Sequence, residues 1–483
     1  MYGATAPFPV FENKRWWSDD WDAFSYGRDI DFSRPFLEQY AELAREVPRF
    51  ALMNFNCENS DFCNFAMDSR NCYLVFGCVR NEDCFYGHIV WDSRNCLDCL
   101  YVYRCEWCSH SVDLVDCYDV HYSKEATSCR ESYFLFDCAG CNNCFCCSGL
   151  RTRQYCLLNE QLTKEEYFRR IRALFPLSVS AAGLFAVRLE ELQRRHPGYP
   201  QLFGSQYEDV TGNHIYSSQC LRYAFDAKAC EQAKYLFTAH GVSNSYDISF
   251  TGGGAQFSVD SLTLSNAQEV IYSQVAFNSA NVAYSEFCFS SQDIFGCIGL
   301  RQGKCCILNK RYSKEKYLDL RFRLVSHMQS NGEWGEFFPS ELSPFPYNES
   351  IVNEYMPITE AEARRRGLRW ETRPSYEAPP AGSSSVPERI TEATDETLRE
   401  VFYCQATHKP YKVIAAEIEF CRRMGLPLSP LCPDERHLRR MALRASRELA
   451  QVRCSNCDVE LETAHVPPYA GKVFCAKCCE KQA

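Results

Sequence analysis

The sequence predicts a mainly β protein, in which duplicated β-solenoid modules with short bridging helices are followed by a small C-terminal zinc-ribbon region. Three observations carry that expectation. One is an ungapped internal repeat at an offset of 150 residues, the second a 12-residue spacing of cysteines inside the first copy, and the third two CxxC pairs near the C-terminus.

The chain has 483 residues, too many for one compact core and enough for roughly three or four domain-sized units. A hydrophobic content of 46% suffices to fill them. A net charge of -10 and a pI near 5.6 argue against a surface that binds nucleic acid indiscriminately, because phosphate contacts need clustered Lys and Arg. The N-terminal residues lack the basic start and apolar stretch of a secretory signal. No run of 18 apolar residues occurs, so the expectation is a cytoplasmic protein with no membrane span. Thirty-one cysteines would suit a disulfide scaffold in a short secreted chain. In a long chain with an odd count and no export signal they read as reduced thiols and metal ligands.

Taken in order, residues 1–49 read as an aromatic N-terminal cap and 50–160 as the first cysteine-rich solenoid module. Residues 161–205 read as bridging helices, 206–310 as the second module and 311–369 as a helical or irregular extension. The duplication rests on CSGLRTRQYCLLNEQLTKEEYFRRI from Cys147, which aligns with CIGLRQGKCCILNKRYSKEKYLDLR from Cys297. Cys147, Gly149, Leu150, Arg151, Cys156, Asn159 and Tyr167 recur as Cys297, Gly299, Leu300, Arg301, Cys306, Asn309 and Tyr317. Each copy ends in a helix opened by Thr163 or Ser313, with acidic residues in the first turn. A second bridging helix is expected from Ala182 to Arg195, stopped by Pro197.

Inside the first copy, Cys72, Cys84, Cys96 and Cys108 lie 12 apart, and Cys117, Cys129 and Cys141 continue the interval after what reads as a shift of phase. In the second copy Tyr272-Ser273 and Tyr284-Ser285 keep the interval while cysteines thin out. The intervening residues are aromatic and β-branched, which favours short strands. Twelve is not a heptad multiple, so stacked solenoid rungs explain it better than a coiled coil. Cysteine suits an interior ladder because it is small and readily buried. The Asn of each NC pair is placed to stack at a corner and hydrogen-bond the next rung.

Residues 370–388, rich in Pro, Gly and Ser, read as a linker. Residues 389–453 read as a degenerate zinc-ribbon module with a basic helix, and 454–483 as a zinc ribbon. Cys454, Cys457, Cys475 and Cys478 form two CxxC pairs with 17 residues between them, the spacing of a closed, structural four-cysteine zinc site. Cys479 is a bystander. In the degenerate module Thr407 and Glu435 stand where second cysteines belong. Cys404 and Cys432 would hold metal only if His408 or His437 completed the set, and a ribbon without metal is the favoured reading.

Other motifs are read structurally. Cys138, Cys141, Cys144 and Cys147 depart from the ferredoxin pattern at Ser148 and fit the solenoid spacing instead. His88, His110 and His121, beside Asp113, Asp116 and Asp119, read as a solvated polar corner rather than a hydrolytic groove. Gly252 to Gly254 lack the context of a nucleotide loop and read as a loop of no special chemistry. Arg422, Arg423, Arg436, Arg439 and Arg440, continued by Arg444 and Arg447, are the local feature that favours nucleic acid, although a solvated helix face explains them more simply.

WWSDDWDAFSYGRDIDFSRPFLEQY, ENSDFCNFAMDSRNCYL, the paired YCLLN and CCILN motifs and FYCQATHKPYKVIAAEIEFCRRMGLPLSP resemble uncharacterised cysteine-rich repeat proteins of candidate-phyla bacteria. Some of these carry the CaiB/BaiF label of a CoA-transferase family, and no CoA site is visible here. The resemblance implies no activity. The expected function is a zinc-binding, non-enzymatic scaffold with a protein partner. A hydrolytic or redox enzyme using a solenoid groove, and an RNA-associated protein acting through the C-terminal region, are the alternatives.

Overall fold

A computed structural model describes the chain except residues 1, 3–5, 196–197, 373, 466–471 and 482–483 and the side chain of residue 480. Pro197, expected to stop the second bridging helix, lies outside the described residues. The helix itself runs Val179–Arg194. The protein is 37% strand and 23% helix, and its body is a β-solenoid of about 21 turns.

The solenoid coil is 12 residues long, as the parallel pairings Asn64↔Phe76, His88↔Leu100 and Arg130↔Asn142 show. Its finer period is three. In the first module the backbone enters the left-handed region at every third residue, with φ of +50° at Asp68, +54° at Asp92 and +57° at Asp116. That conformation strains most side chains and is least costly for Gly, Asn and Asp. Four such corners close one coil. The residue after each corner points inward, so Cys72, Val75, Cys78 and Cys84 are all buried.

This geometry corrects the apparent shift of phase. Cys72, Cys84, Cys96 and Cys108 form one interior column, whereas Cys117, Cys129 and Cys141 belong to the next column, which Cys105 also joins. The coil passes from one set to the other without interruption. The real irregularity is in the second module, where Gly252–Gly254 add one residue to a coil and the pairing becomes Val242↔Ala255 and Tyr246↔Val259. The segment is therefore part of a wall rather than a loop, and Gly254 takes the corner with φ of +69°.

Cysteine and serine share the interior because both serve the corner backbone. Ser93 Oγ donates to the Trp91 carbonyl at 2.8 Å and accepts the Cys105 amide at 3.1 Å. One coil on, Cys105 Sγ donates to the Tyr103 carbonyl at 3.4 Å and accepts the Cys117 amide at 3.3 Å. Satisfying buried backbone groups in this way spares their desolvation cost. The expected corner asparagines do bond across coils, as Asn71 does to Asp83 at 3.1 Å.

Each module closes in the same way. Asn159 accepts the Ser148 amide at 2.8 Å and donates to its carbonyl at 2.9 Å, and Asn309 does the same to Ile298 at the same distances. The helices Lys164–Arg172 and Lys314–Ser330 follow, capped by Thr163 and Ser313.

The two modules lie side by side and antiparallel. Phe55 meets Phe277 and Phe289, Trp91 meets His240, Tyr101 meets Thr238, and Glu125 approaches His214. Position rises along one module as it falls along the other. The N-terminal aromatic segment covers the far end of the second module, where Trp16 packs on Phe289 and Phe36 on Phe295, while Arg49 pairs with Glu286 at 2.8 Å in the core.

Candidate functional site

Cys454 and Cys457 sit on the turn of a hairpin, Ala450–Arg453 against Glu460–Thr463, and Cys475 precedes the short helix Ala476–Glu480. Backbone bonds shape the first knuckle: the Asp458 amide donates to the Cys454 carbonyl and the Cys454 amide to Val459, both at 2.9 Å. The left-handed φ of +60° at Asp458 completes the turn. The sulfurs of Cys454, Cys457, Cys475 and Cys478 all lie within 4.8 Å of one another, and Cys457 Sγ is 3.7 Å from Cys475 Sγ. In a tetrahedral four-thiolate centre with bonds of about 2.3 Å, neighbouring sulfurs sit about 3.8 Å apart. The cluster could hold a metal ion. Desolvation works against the Cys454 thiolate, but the backbone amides of Cys475, Asn456 and Cys457 outweigh it and bring the thiol down to about 6. Strand Tyr199–Pro200 pairs with Val473–Phe474, tying the cluster to the connection between modules.

The degenerate module repeats this knuckle. The Cys404 amide donates to Lys409 at 3.0 Å, the His408 amide to Cys404 at 2.9 Å, and His408 has φ of +60°. Thr407 Oγ1 stands 4.0 Å from Cys432 Sγ. Glu435 instead bonds Arg439, and His437 bonds Glu354 at 3.0 Å. Among the described residues no group of three ligating side chains includes Cys404 or Cys432. Both thiols are buried with Phe402, Tyr411 and Ile418, so an apolar core stands where the other ribbon has its thiol cluster.

The helix Pro433–Ala442 and the turn after it build a second focus. Arg436 Nη1 donates to Asp98 and Glu417, both at 2.7 Å, and Arg440 Nη1 donates to Asp98 at 2.6 Å. Arg444 Nε donates to Asp113 at 3.1 Å and its Nη1 to Asp226 at 3.2 Å. Arg447 donates to Asp226 at 2.8 Å and to the Tyr101 hydroxyl at 2.9 Å. Asp98 and Asp113 belong to the first module and Asp226 to the second: the helical Arg436 and Arg440 hold the first, and Arg444 and Arg447 on the turn after the helix reach the second.

This corrects the solvated-face expectation for Arg436 and Arg440, which are buried, and for Arg444 and Arg447, whose side chains are 8% exposed, and it withdraws the first two from any basic surface. Arg439 remains exposed beside Glu435, while Arg423 stacks on Trp107 at 3.8 Å and Arg422 donates to the Ala393 carbonyl at 2.8 Å. The polar-corner expectation for His110 and Asp113 is likewise corrected. Asp113 is held by Arg444. His110 stacks on Tyr122, and burial, opposed by Asp98, lowers its pKa to about 4. The spacing of the arginines was visible in the sequence, but Asp98, Asp113 and Asp226, the carboxylates they meet on the modules, lie more than 200 residues away.

Desolvation raises the pKa of Asp98, but Arg436 and Arg440 prevail and hold it below the usual carboxylate range. Arg444 and Arg447 do the same at Asp226 against its burial. A cavity of about 100 Å³ opens beside them, lined by His214, Phe225, Asp226, Tyr355, Arg444 and Arg447 among others.

No protein-family profile and no curated protein matches the chain. Among solved structures, a provisionally assigned acetyltransferase from Desulfovibrio desulfuricans G20 aligns at 9% identity over 58% of this chain and 82% of its own, with a TM-score of 0.11. A likeness that low carries no argument. Among the described residues no helix is long and apolar enough to cross a membrane.

Proposed function

We propose that the protein is a non-enzymatic, zinc-stabilised scaffold whose duplicated solenoid presents a rigid surface to a protein partner. The observation that carries this reading is the seam. A general acid or base needs a titration point near working pH and access to substrate. Here Asp98, Asp113 and Asp226 are bound by arginines, the Glu125 side chain, 8% exposed, lies against His214, and the adjoining cavity of about 100 Å³ falls short of the roughly 300 Å³ at which ligand pockets begin. The seam braces two walls and leaves their outer faces to solvent.

One outer face supports the partner reading. Tyr223, Tyr235 and Tyr246 follow one another on successive coils with ring centroids 5.6 and 5.2 Å apart, and Tyr223 and Tyr246 are 38% and 46% exposed. Aromatic residues are enriched where proteins meet, and a net charge of -10 favours a protein over a polyanion. Zinc is the metal we assign to the four thiols, since a closed four-cysteine site is its commonest structural home.

The test isolates tagged full-length protein from its native cell and identifies bound protein, RNA and metal. A variant with Tyr223, Tyr235 and Tyr246 changed to Ala is isolated alongside. The reading predicts a protein partner lost about 10-fold or more in the variant, together with about one equivalent of zinc at the thiol cluster that Cys475→Ser removes. RNA as the principal bound species, or a partner indifferent to the tyrosines, contradicts it.

A further inference from the structure

His88, Glu354 and His437 come from three separate parts of the chain: the strand His88–Trp91 of the first module, the short helix Val352–Tyr355 and the helix Pro433–Ala442. One ligand-type atom from each lies within 4.8 Å of the other two. His437 Nε2 is 3.0 Å from Glu354 Oε2, and the rings of His88 and His437 lie nearly parallel, 9° apart, with centroids at 5.2 Å. His88 is 6% exposed, and its ring makes no hydrogen bond to the described residues. A cation shared with Glu354 and His437 would give the His88 ring a partner.

We propose that these three side chains form a second metal centre, separate from the thiol cluster, which takes a divalent first-row transition ion and leaves one coordination position open.

The donor set fits that ion class. Imidazole suits zinc, iron, nickel and copper, and two histidines with one carboxylate form a three-ligand site whose remaining positions go to water. With metal–ligand bonds of about 2.0 to 2.2 Å, donor atoms around a tetrahedral ion sit about 3.4 Å apart. His437 and Glu354, at 3.0 Å, are close to that spacing, and the His88 atom lies within 4.8 Å of both. The helix that carries His437 is fixed on either side by the bonds of Arg436 and Arg440 to Asp98, so the ligand is held by rigid neighbours.

The other histidine-carboxylate group of the seam does not qualify. Asp113, His214 and Asp226 also converge within 4.8 Å, but Arg444 and Arg447 already occupy the two carboxylates and would repel a cation. At the His88 centre the carboxylate faces a histidine, which can exchange its proton for a metal.

The full-length protein, stripped by chelation, is titrated with Zn2+ against a chromophoric competitor, next to Glu354→Gln, His437→Gln and Cys475→Ser. About two equivalents are expected for the unchanged chain, and about one for each variant. Glu354→Gln keeps an acceptor for His437 and sits on a partly exposed helix, so a purely structural hydrogen bond would leave its stoichiometry at the parent value. Should His437→Gln fail to fold by circular dichroism, Glu354→Gln decides. Uptake of one equivalent by the unchanged chain, or of two by Glu354→Gln, overturns the proposal.

Discussion

At a single corner of the solenoid, a thiol and a hydroxyl do the same work. Cys84 Sγ donates to the Glu82 carbonyl at 3.4 Å and lies 3.6 Å from the Ser93 carbonyl, while Ser273 Oγ donates to the Ile271 carbonyl at 2.8 Å. Cys84→Ser should therefore change stability by no more than about 1 kcal/mol in urea unfolding. Cys96→Leu overfills two coils and should cost about 1 to 3 kcal/mol. Equal losses would show that volume alone matters inside. Asp98 is the opposite kind of residue: Asp98→Asn leaves Arg440 buried without a counter-charge and Arg436 with Glu417 alone, and should cost about 3 to 5 kcal/mol. Because its folded pKa lies below the unfolded value, the stability Asp98 contributes is present at neutral pH and lost only as pH falls through the folded value. His110 acts earlier. Held neutral by burial with a pKa of about 4, it makes stability fall as pH drops from about 6.5, and His110→Gln should remove that part of the slope in a pH series of melting temperatures. The sequence showed that His110 and Asp113 stand at outward-facing corners. It could not show that a helix from the other end of the chain covers them.

The coil itself was half legible. The 12-residue interval followed from the spacing of cysteines and the duplication from the ungapped repeat at an offset of 150 residues, and the finer period was present but unread. Asn56, Asn59, Asp68, Asn71, Asp83, Asp92, Asn95 and Asp98 are all separated by multiples of three, and all sit in the left-handed region, where their short polar side chains are tolerated best. Reading the intervening residues only as short strands left this period unread. The repeated asparagine of the YCLLN and CCILN motifs has a clearer physical reason. Asn309 bonds both backbone groups of Ile298 and the Ala23 carbonyl at 3.0 Å, closing an edge that would otherwise be open. Asn309→Ala should cost about 2 to 4 kcal/mol and speed amide exchange in the last coil. Exchange unchanged there would mean that the following helix alone closes the end.

On the scale of the molecule, two antiparallel modules are joined by residues that composition treats as ordinary surface charge. Arg436, Arg440, Arg444 and Arg447 recur at helical spacing, a pattern equally suited to a solvated basic face. Only the antiparallel packing brings Asp98, Asp113 and Asp226 to meet them. Neither the seam nor the His88 group could be read from spacing, because their members lie far apart in the chain and local periodicity carries no information about which faces meet. The thiol cluster was legible because its ligands are local. The central claim is that the helix Pro433–Ala442 and the turn after it lock both modules into one rigid body, and Arg444, bonded to Asp113 and Asp226 together, is its most direct test. Hydrogen-exchange mass spectrometry of Arg444→Ala should show faster exchange in the coils around Asp113 and around Asp226 at once. Faster exchange confined to residues 433–447, with both modules unchanged, would contradict it.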